Sequence, residues 1–352
     1  MRIGFIALLS LLLIGCGQQA SDSSQSAAEK QQTFEWKLVT TWPKNYPGLG
    51  TAPENFARRV EAMSAGRLSI KVFGAGQLVP AFEVFDAVSQ GTAEMGHGAA
   101  YYWTGKAKAT GFFTSVPFGL NAQEMNGWLH YGGGLELWRE LYEPFNLVPF
   151  AGGSTGVQMA GWFNREINSM QDIKGLKMRI PGLGGDVITR AGGVSVTMPG
   201  GELYTSMQTG VIDATEWVGP YNDLAFGFHQ VAKYYYYPGW HEPGPILELI
   251  VNKQALASLP ADLQAIVESA ARAVNQDMLD EYTARNNTAL VELVETHGVD
   301  VRKLPDDAEV LEELAEEDEL SRRIAESVKA FQKQATAYHG ISEEAYYQAR
   351  KQ

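Results

Sequence analysis

Hydrophobic and polar positions along the chain change period repeatedly, and each change marks an element. Residues 34–42 (FEWKLVTTW) alternate and are β-branched, which predicts a strand; residues 52–65 place Phe56, Val60 and Met63 on one helical face before Gly66 ends the run. A strand at 68–73, a helix at 81–90 through Phe82, Phe85 and Val88, and a short strand at 93–99 follow. This βαβαβ order predicts a parallel sheet. Residues 122–142 read as a helix interrupted at Gly132-Gly133-Gly134, and 146–151 as a strand leading into the turn Gly152-Gly153-Ser154, with 157–163 extended. The alternation then runs a second time, with strands near 177–180, 194–198 and 214–218 and helices at 185–191 and 202–209.

Residues 247–252 form a further strand, after which Pro260 opens a helical pattern carrying Leu263, Ile266, Val267, Ala270, Val274, Met278, Tyr282, Leu290 and Val294 up to Gly298. At 1.5 Å per residue such a helix reaches ~50 Å, long enough to lie across two domains. Beyond it, residues 306–319 are strongly acidic, yet Val310, Leu314, Leu320, Ile324, Val328, Phe331, Ala335 and Tyr338 keep an apolar stripe. An amphipathic helix is expected there, its acidic side solvated and its stripe covered by its own domain or by a second subunit.

The N-terminus is different in kind. Arg2 precedes an apolar stretch over 3–14, then Gly15-Cys16, the shape of a secretory signal and shorter than the ~20 residues a membrane helix needs. Leu13-Ile14-Gly15-Cys16 resembles a bacterial lipobox, in which Cys16 becomes the lipidated first residue of the mature protein. The Ser/Gln/Ala-rich stretch 16–32 suits a flexible tether, so the folded part is expected to begin at Thr33.

Composition narrows the function classes. A chain of 352 residues suggests about two domains, and 45% hydrophobic with 20% charged residues is ordinary for a soluble globular body. The net charge of −13 and the lack of a basic stripe argue against nucleic-acid binding. Cys16 is the single cysteine, which excludes an intramolecular disulfide, a CxxC pair and any multi-cysteine zinc or iron–sulfur site.

Four stretches place chemistry at strand ends, where open α/β sheets bind ligands. Gly152-Gly153-Ser154-Thr155-Gly156 matches G-x-S-x-G, the nucleophile elbow of α/β hydrolases, and His229, His241, Asp213 and Asp223 lie downstream; a secreted esterase using Ser154 is therefore the alternative of another class. That motif requires a following helix, whereas 157–163 read as extended. Gln158 stands just past the glycine-rich turn. Arg179 ends a short apolar strand before a Gly/Pro loop, where its planar fork suits a carboxylate, with an internal ion pair to Asp213 or Glu216 as the other possibility. The glycines after it do not complete G-x-G-x-x-G, because Val187 occupies the last position. Glu216 follows an apolar strand and precedes Trp217-Val218-Gly219-Pro220, where a carboxylate and turn carbonyls could bind a hard cation. Tyr101, Tyr102, Trp103, the run Tyr234 to Tyr237 and Trp240 are candidates for core or cleft walls.

Taken together, YYWTGK from Tyr101, SVPFGL from Ser115, GVQMAGWFNREI from Gly156, DIKGLKMRIPGLGGDV from Asp172, GVIDATEWVGPYND from Gly210 and YYYYPGWHEPG from Tyr234 resemble the extracytoplasmic solute receptors of TRAP (tripartite ATP-independent periplasmic) transporters, closest to the branch that binds 2-oxo acids such as pyruvate. The resemblance implies an α/β two-domain flytrap with a long bridging helix: 33–155 with 247–300 as one domain, 156–246 as the other, and 301–352 as a C-terminal helical segment suited to dimerisation. It implies that Arg179 pairs with the ligand carboxylate, that Gln158, Glu216 and the Trp217 carbonyl surround a metal cation touching the ligand, and that Tyr101, Tyr102, Trp103 and Glu242 line the pocket. His241 stands where an aromatic residue is expected before Glu242. A single carboxylate, an amide and a carbonyl favour sodium over calcium, which takes more oxygens. The implied function is a non-catalytic receptor for a small 2-oxo or 2-hydroxy monocarboxylate, or alternatively a C4-dicarboxylate or larger organic acid, handed to a membrane permease.

Overall fold

The computed structural model describes residues 32–305 and 322–334; the leader at 1–15, Cys16 and most of the tether, and the segments 306–321 and 335–352, lie outside that description. The alternating run Phe34–Thr40 is β1, followed by Thr51–Met63 (α1), Leu68–Phe73 (β2), Val84–Ser89 (α2) and Met95–Gly98 (β3). Strand β1 lies between β2 and β3 and parallel to both, as the βαβαβ pattern predicts. The interrupted helix is two helices, Ala122–Tyr131 (α3) and Gly134–Tyr142 (α4), because Gly133 takes φ +86° and re-aims the chain. Asn121 caps α3 in a reciprocal pair with Glu124. Leu147–Ser154 (β4) completes this half.

The chain then crosses to a second sheet made of Gly161–Phe163 (β5), Lys177–Arg179 (β6), Val194–Val196 (β7), Ala214–Thr215 (β8) and Tyr234–Tyr237 (β9), with Gly182–Arg190 (α5), Leu203–Gln208 (α6) and Pro220–Phe226 (α7) between them. Ile246–Asn252 (β10) returns to the first sheet and lies antiparallel between β3 and β4, giving the order β2-β1-β3-β10-β4. The parallel expectation therefore holds for β1 to β3 and not for the whole sheet. Lys253–Ser258 (α8) and the 35-residue Ala261–Glu295 (α9) follow, and Asp300–Lys303 (β11) crosses back to pair with β9, so the second sheet runs β11-β9-β5-β8-β6-β7. The helical expectation for 301–352 is corrected at its start: residues 300–303 add an edge strand in register with the four tyrosines 234–237.

Helix α9 packs on α1 and β4 of the first lobe and on α7 of the second, which makes it the bridge. Its buried residues Leu263, Val267, Ala270, Val274, Met278 and Tyr282 follow the predicted stripe; beyond Tyr282 the buried face shifts by one residue, to Ala289 and Leu293 in place of Leu290 and Val294. Gly153 of β4 admits it closely, since a Cβ there would lie 2.5 Å from the Met278 sulfur. Tyr282 sits flush on Gly48 (φ +66°) and donates its hydroxyl to Asn222 Oδ1, while Tyr46 donates to the Asn222 carbonyl. One side chain of the bridge thus ties a loop of the first lobe to helix α7 of the second. Residues 322–334 form a last helix (α10) whose Ile324, Ala325 and Val328 are buried in the first lobe's core. Ser327 accepts from Trp128 Nε1 at 3.0 Å and Arg323 grips Glu140 with two bonds of 2.8 and 3.0 Å. This part of the C-terminal stripe covers its own domain.

Trp103 closes the turn Ala100–Trp103 with its indole turned into the first lobe, where Trp103 Nε1 and the Tyr142 hydroxyl both donate to the Glu248 carboxylate. Burial pushes Glu248 up to about 7, only partly offset by those two donors. The folded state holds this proton more tightly than the unfolded chain, so Glu248 contributes most stability below about pH 4.5 and loses it as pH rises to about 7. Glu248→Gln is expected to remove a decline on the order of 3 kcal/mol across that window. Urea unfolding at a series of pH values checks this; an unchanged slope contradicts it.

Candidate functional site

Strands β6 and β8 are parallel with Arg179 opposite Thr215, so the end of β6 and the residue after β8 lie side by side. The Glu216 N–H donates to the Arg179 carbonyl at 3.1 Å and fixes the two backbones. Both side chains then turn into the cleft and form an ion pair with almost no exposure, 1% and 0%. Of the two ion-pair partners weighed from the sequence, Glu216 is the one found. Asp213 accepts instead from the Lys177 N–H at 2.9 Å.

The guanidinium is held on every side. Its Nη1 also donates to the Glu216 carbonyl at 3.0 Å, Nε to the Met198 carbonyl at 3.3 Å, and Nη2 to the Tyr102 hydroxyl at 3.3 Å. It lies 5.3 Å over the Trp217 ring. Burial alone would lower the Arg179 pKa, but Glu216 and the two tyrosines outweigh it and raise it, so the charge is permanent. Trp217 is wedged among Trp42, Tyr46 and Phe226 and rests on Gly200, where a Cβ would lie 2.3 Å from its ring.

The loops at 155–161 and 238–244 bring a second carboxylate. Gly239 faces Gln158 so closely that a Cβ would lie 2.1 Å from its carbonyl, and Gly244 abuts the start of α3 in the same way. The Gln158 N–H donates to the Glu242 carbonyl at 3.1 Å, and its Nε2 to the Glu242 carboxylate at 2.7 Å and to Thr155 Oγ1 at 3.1 Å. Gln158 Oε1 is buried without a partner among the described residues. Tyr101 approaches Glu242 from the other lobe. Burial, and then the Glu216 charge, push Glu242 well above the usual carboxylate range, with Arg179 opposing. Burial likewise raises the hydroxyls of Tyr101 and Tyr102.

Of the residues singled out from the sequence, Arg179, Glu216, Trp217, Gln158, Glu242, Tyr101 and Tyr102 form one buried cluster drawn from both lobes. Trp103 is not brought into it, since its ring faces Glu248. His241 joins it, with Nε2 at 3.4 Å from Glu216 Oε2. Sequence reasoning named His241 as an unusual pocket wall and as a triad partner for Ser154, and not as a cation ligand. The esterase alternative is corrected: Ser154 ends β4 buried, its Oγ accepts from the Gly156 N–H at 3.3 Å, and the chain runs on to β5 without the helix that a nucleophile elbow needs. The triad partners are committed elsewhere, His241 to Glu216, His229 against His297 with ring centroids 4.1 Å apart, and Asp223 to Trp162 and Tyr235.

The cluster fits a cation. Two carboxylates and the orphaned Gln158 oxygen converge in one buried place, and Glu216, His241 and Glu242 each offer a ligand atom within 4.8 Å of the others. Oxygen donors of this kind suit a hard cation.

The model of the family described as bacterial extracellular solute-binding proteins, family 7, matches residues 38–319. The chain belongs to that family. Its members are the periplasmic solute receptors of TRAP transporters, and they bind rather than catalyse. The monocarboxylate 2-oxoacid-binding periplasmic protein of Nostoc sp. is 43% identical over 97% of this chain and 95% of its own length. Two solved TRAP periplasmic solute-binding proteins are each 43% identical with a TM-score of 0.86. That of Pseudoalteromonas atlantica, with bound sodium and pyruvate, is covered over 99% of its chain and 90% of this one; that of Colwellia psychrerythraea, with bound calcium and pyruvate, over 100% and 90%. The receptor works outside the cytoplasm, and the expected flytrap fold with a bridging helix is the fold observed.

Removing one partner of the buried pair strands the other. Arg179→Ala is expected to lower the stability of the ligand-free protein by about 3–5 kcal/mol, with part recovered when Glu216→Ala is added. A double-mutant cycle of urea unfolding measures this, and additive losses would contradict it.

Proposed function

We propose that this receptor captures a small 2-oxo or 2-hydroxy monocarboxylate, of which pyruvate is the type, together with a metal cation, and delivers it to a TRAP membrane permease. The observation that carries this reading is the permanently charged Arg179 guanidinium, buried beside the partnerless Gln158 oxygen and two carboxylates. A 2-oxo carboxylate has the matching form: its charged group meets the arginine fork, while its adjacent oxygens chelate a cation held by Gln158, Glu216 and the Trp217 carbonyl. Arg179 is the one fully buried arginine among the described residues, which favours one carboxylate over a C4-dicarboxylate.

Tyr101 and Tyr102 come from one lobe and Arg179, Gln158, Glu216 and Glu242 from the other, so a ligand touching both groups stabilises the closed arrangement. Relatives with sodium and with calcium support a metal cation in general. The sequence favours sodium on the ground of a single carboxylate; with Glu242 as a second one in the cluster, the oxygen set suits sodium or calcium. In the same reading a lipid on Cys16 and the tether at 16–32 keep the receptor near its permease.

Titration calorimetry on protein unfolded and refolded to strip carried-over ligand tests the reading. Wild type is expected to bind pyruvate in a sodium buffer, and Arg179→Ala to lose about 100-fold or more in affinity, the worth of a charge-assisted pair. Undiminished binding by the variant would sink the assignment. A second expectation concerns pH: because burial and the Glu216 charge hold the Glu242 proton above the usual carboxylate range, a cation must displace it, so cation affinity is expected to fall as pH is lowered. Titrations of the metal across a series of pH values check the sign.

A further inference from the structure

His241 is the least expected member of the cluster. It is 98% buried by its 2% exposure, sits in the loop that also carries Glu242, and faces Glu216. Its contact with Glu216 Oε2, at 3.4 Å, is longer than a good hydrogen bond of 2.7–3.2 Å. That separation has another meaning, because two donors each about 2.0–2.1 Å from a tetrahedral ion stand about 3.4 Å apart. The ring's other nitrogen, Nδ1, is buried with no partner among the described residues. Nε2 therefore faces the Glu216 carboxylate across a gap that an ion could occupy, with both ring nitrogens short of a good protein partner.

We propose that His241 is a metal-ligating residue whose nitrogen lets the Glu216–His241–Glu242 cluster accept a first-row d-block dication, such as cobalt(II) or zinc, in place of a hard cation. The three ligand atoms already lie within 4.8 Å of one another, and all three residues are buried. Imidazole is a borderline donor that adds little affinity for sodium or calcium and much for ions from cobalt to zinc. Oxygen-only donors, by contrast, favour the hard ions. The inference deepens the receptor reading and rests on its placement of the cation, but it concerns the choice of ion and not the choice of acid.

The test uses refolded, chelator-treated protein with no organic acid present. Cobalt(II) is titrated by visible ligand-field absorption and calcium by competition, in wild type, His241→Phe and His297→Asn; the last removes the exposed half of the facing His229/His297 pair, where two imidazoles lie close together. Wild type and His297→Asn are expected to develop the cobalt bands. His241→Phe is expected to lower the cobalt-to-calcium affinity ratio about 100-fold. Absent bands in wild type, or an equal fall in both affinities, would overturn the proposal, since a merely structural histidine moves both ions together. Should His241→Phe fail to fold, His241→Asn, which keeps a polar side chain there, takes its place in pulsed electron paramagnetic resonance of the copper(II)-loaded protein: imidazole nitrogen modulation is expected in wild type and lost in the variant, and its absence in wild type or its retention in the variant refutes the assignment. Pyruvate titrated into the same wild-type preparation in sodium separates the two claims. No binding there defeats the acid reading alone, while an unchanged cobalt-to-calcium ratio with pyruvate bound defeats only the role of His241.

Discussion

The buried ion pair between Arg179 and Glu216 is the constraint around which the cleft is built. Desolvating two charges costs several kcal/mol for each ion, and the cost is met only when every donor and acceptor finds a partner. The surroundings show how this is done: the guanidinium also reaches the Glu216 and Met198 carbonyls and the Tyr102 hydroxyl, and covers the Trp217 ring. Such an arginine cannot lose its charge, so an incoming carboxylate exchanges one anionic partner for another instead of paying for fresh desolvation. Glu242, raised by burial and by Glu216, and the orphaned Gln158 oxygen mark the side where positive charge is short.

The scaffold holds these groups across two lobes. β6 and β8 set Arg179 and Glu216 in parallel register, the glycines at 239 and 244 let the Glu242 loop press against Gln158 and α3, and the turn after β3 delivers Tyr101 and Tyr102 from the opposite lobe. Helix α9 limits how far the lobes can part. Its Tyr282 holds the Gly48 loop on one side and Asn222 on the other, and the chain itself passes between the lobes at about residues 155–160, 238–245 and 296–299.

Much of the fold was legible because helical and strand periods are local. The α9 stripe and the strands at 68–73 and 247–252 needed no tertiary information. The run Tyr234–Tyr237 escaped because four identical amphipathic residues carry no alternation, and Asp300–Lys303 because a short, mostly polar edge strand has too few apolar positions to show a period. Helix α7 shows no period in the sequence, since its seven residues between Gly219 and Gly227 are too few to repeat a helical face. At the site, Arg179 and Glu216 stood out as charges ending apolar strands. The Gln158–Glu242 bond joins residues 84 apart and has no local signature. Trp103 misled for a geometric reason: consecutive residues on a tight turn of about three residues per turn point in different directions, so two tyrosines face the cleft while the tryptophan faces the core.

A crystal structure grown with pyruvate and a cation tests the central claim most directly. The account predicts the ligand carboxylate against the Arg179 guanidinium, with the ion between the ligand oxygens, Gln158 Oε1 and Glu216. Density showing Arg179 still paired only with Glu216, and pyruvate bound elsewhere, would contradict it.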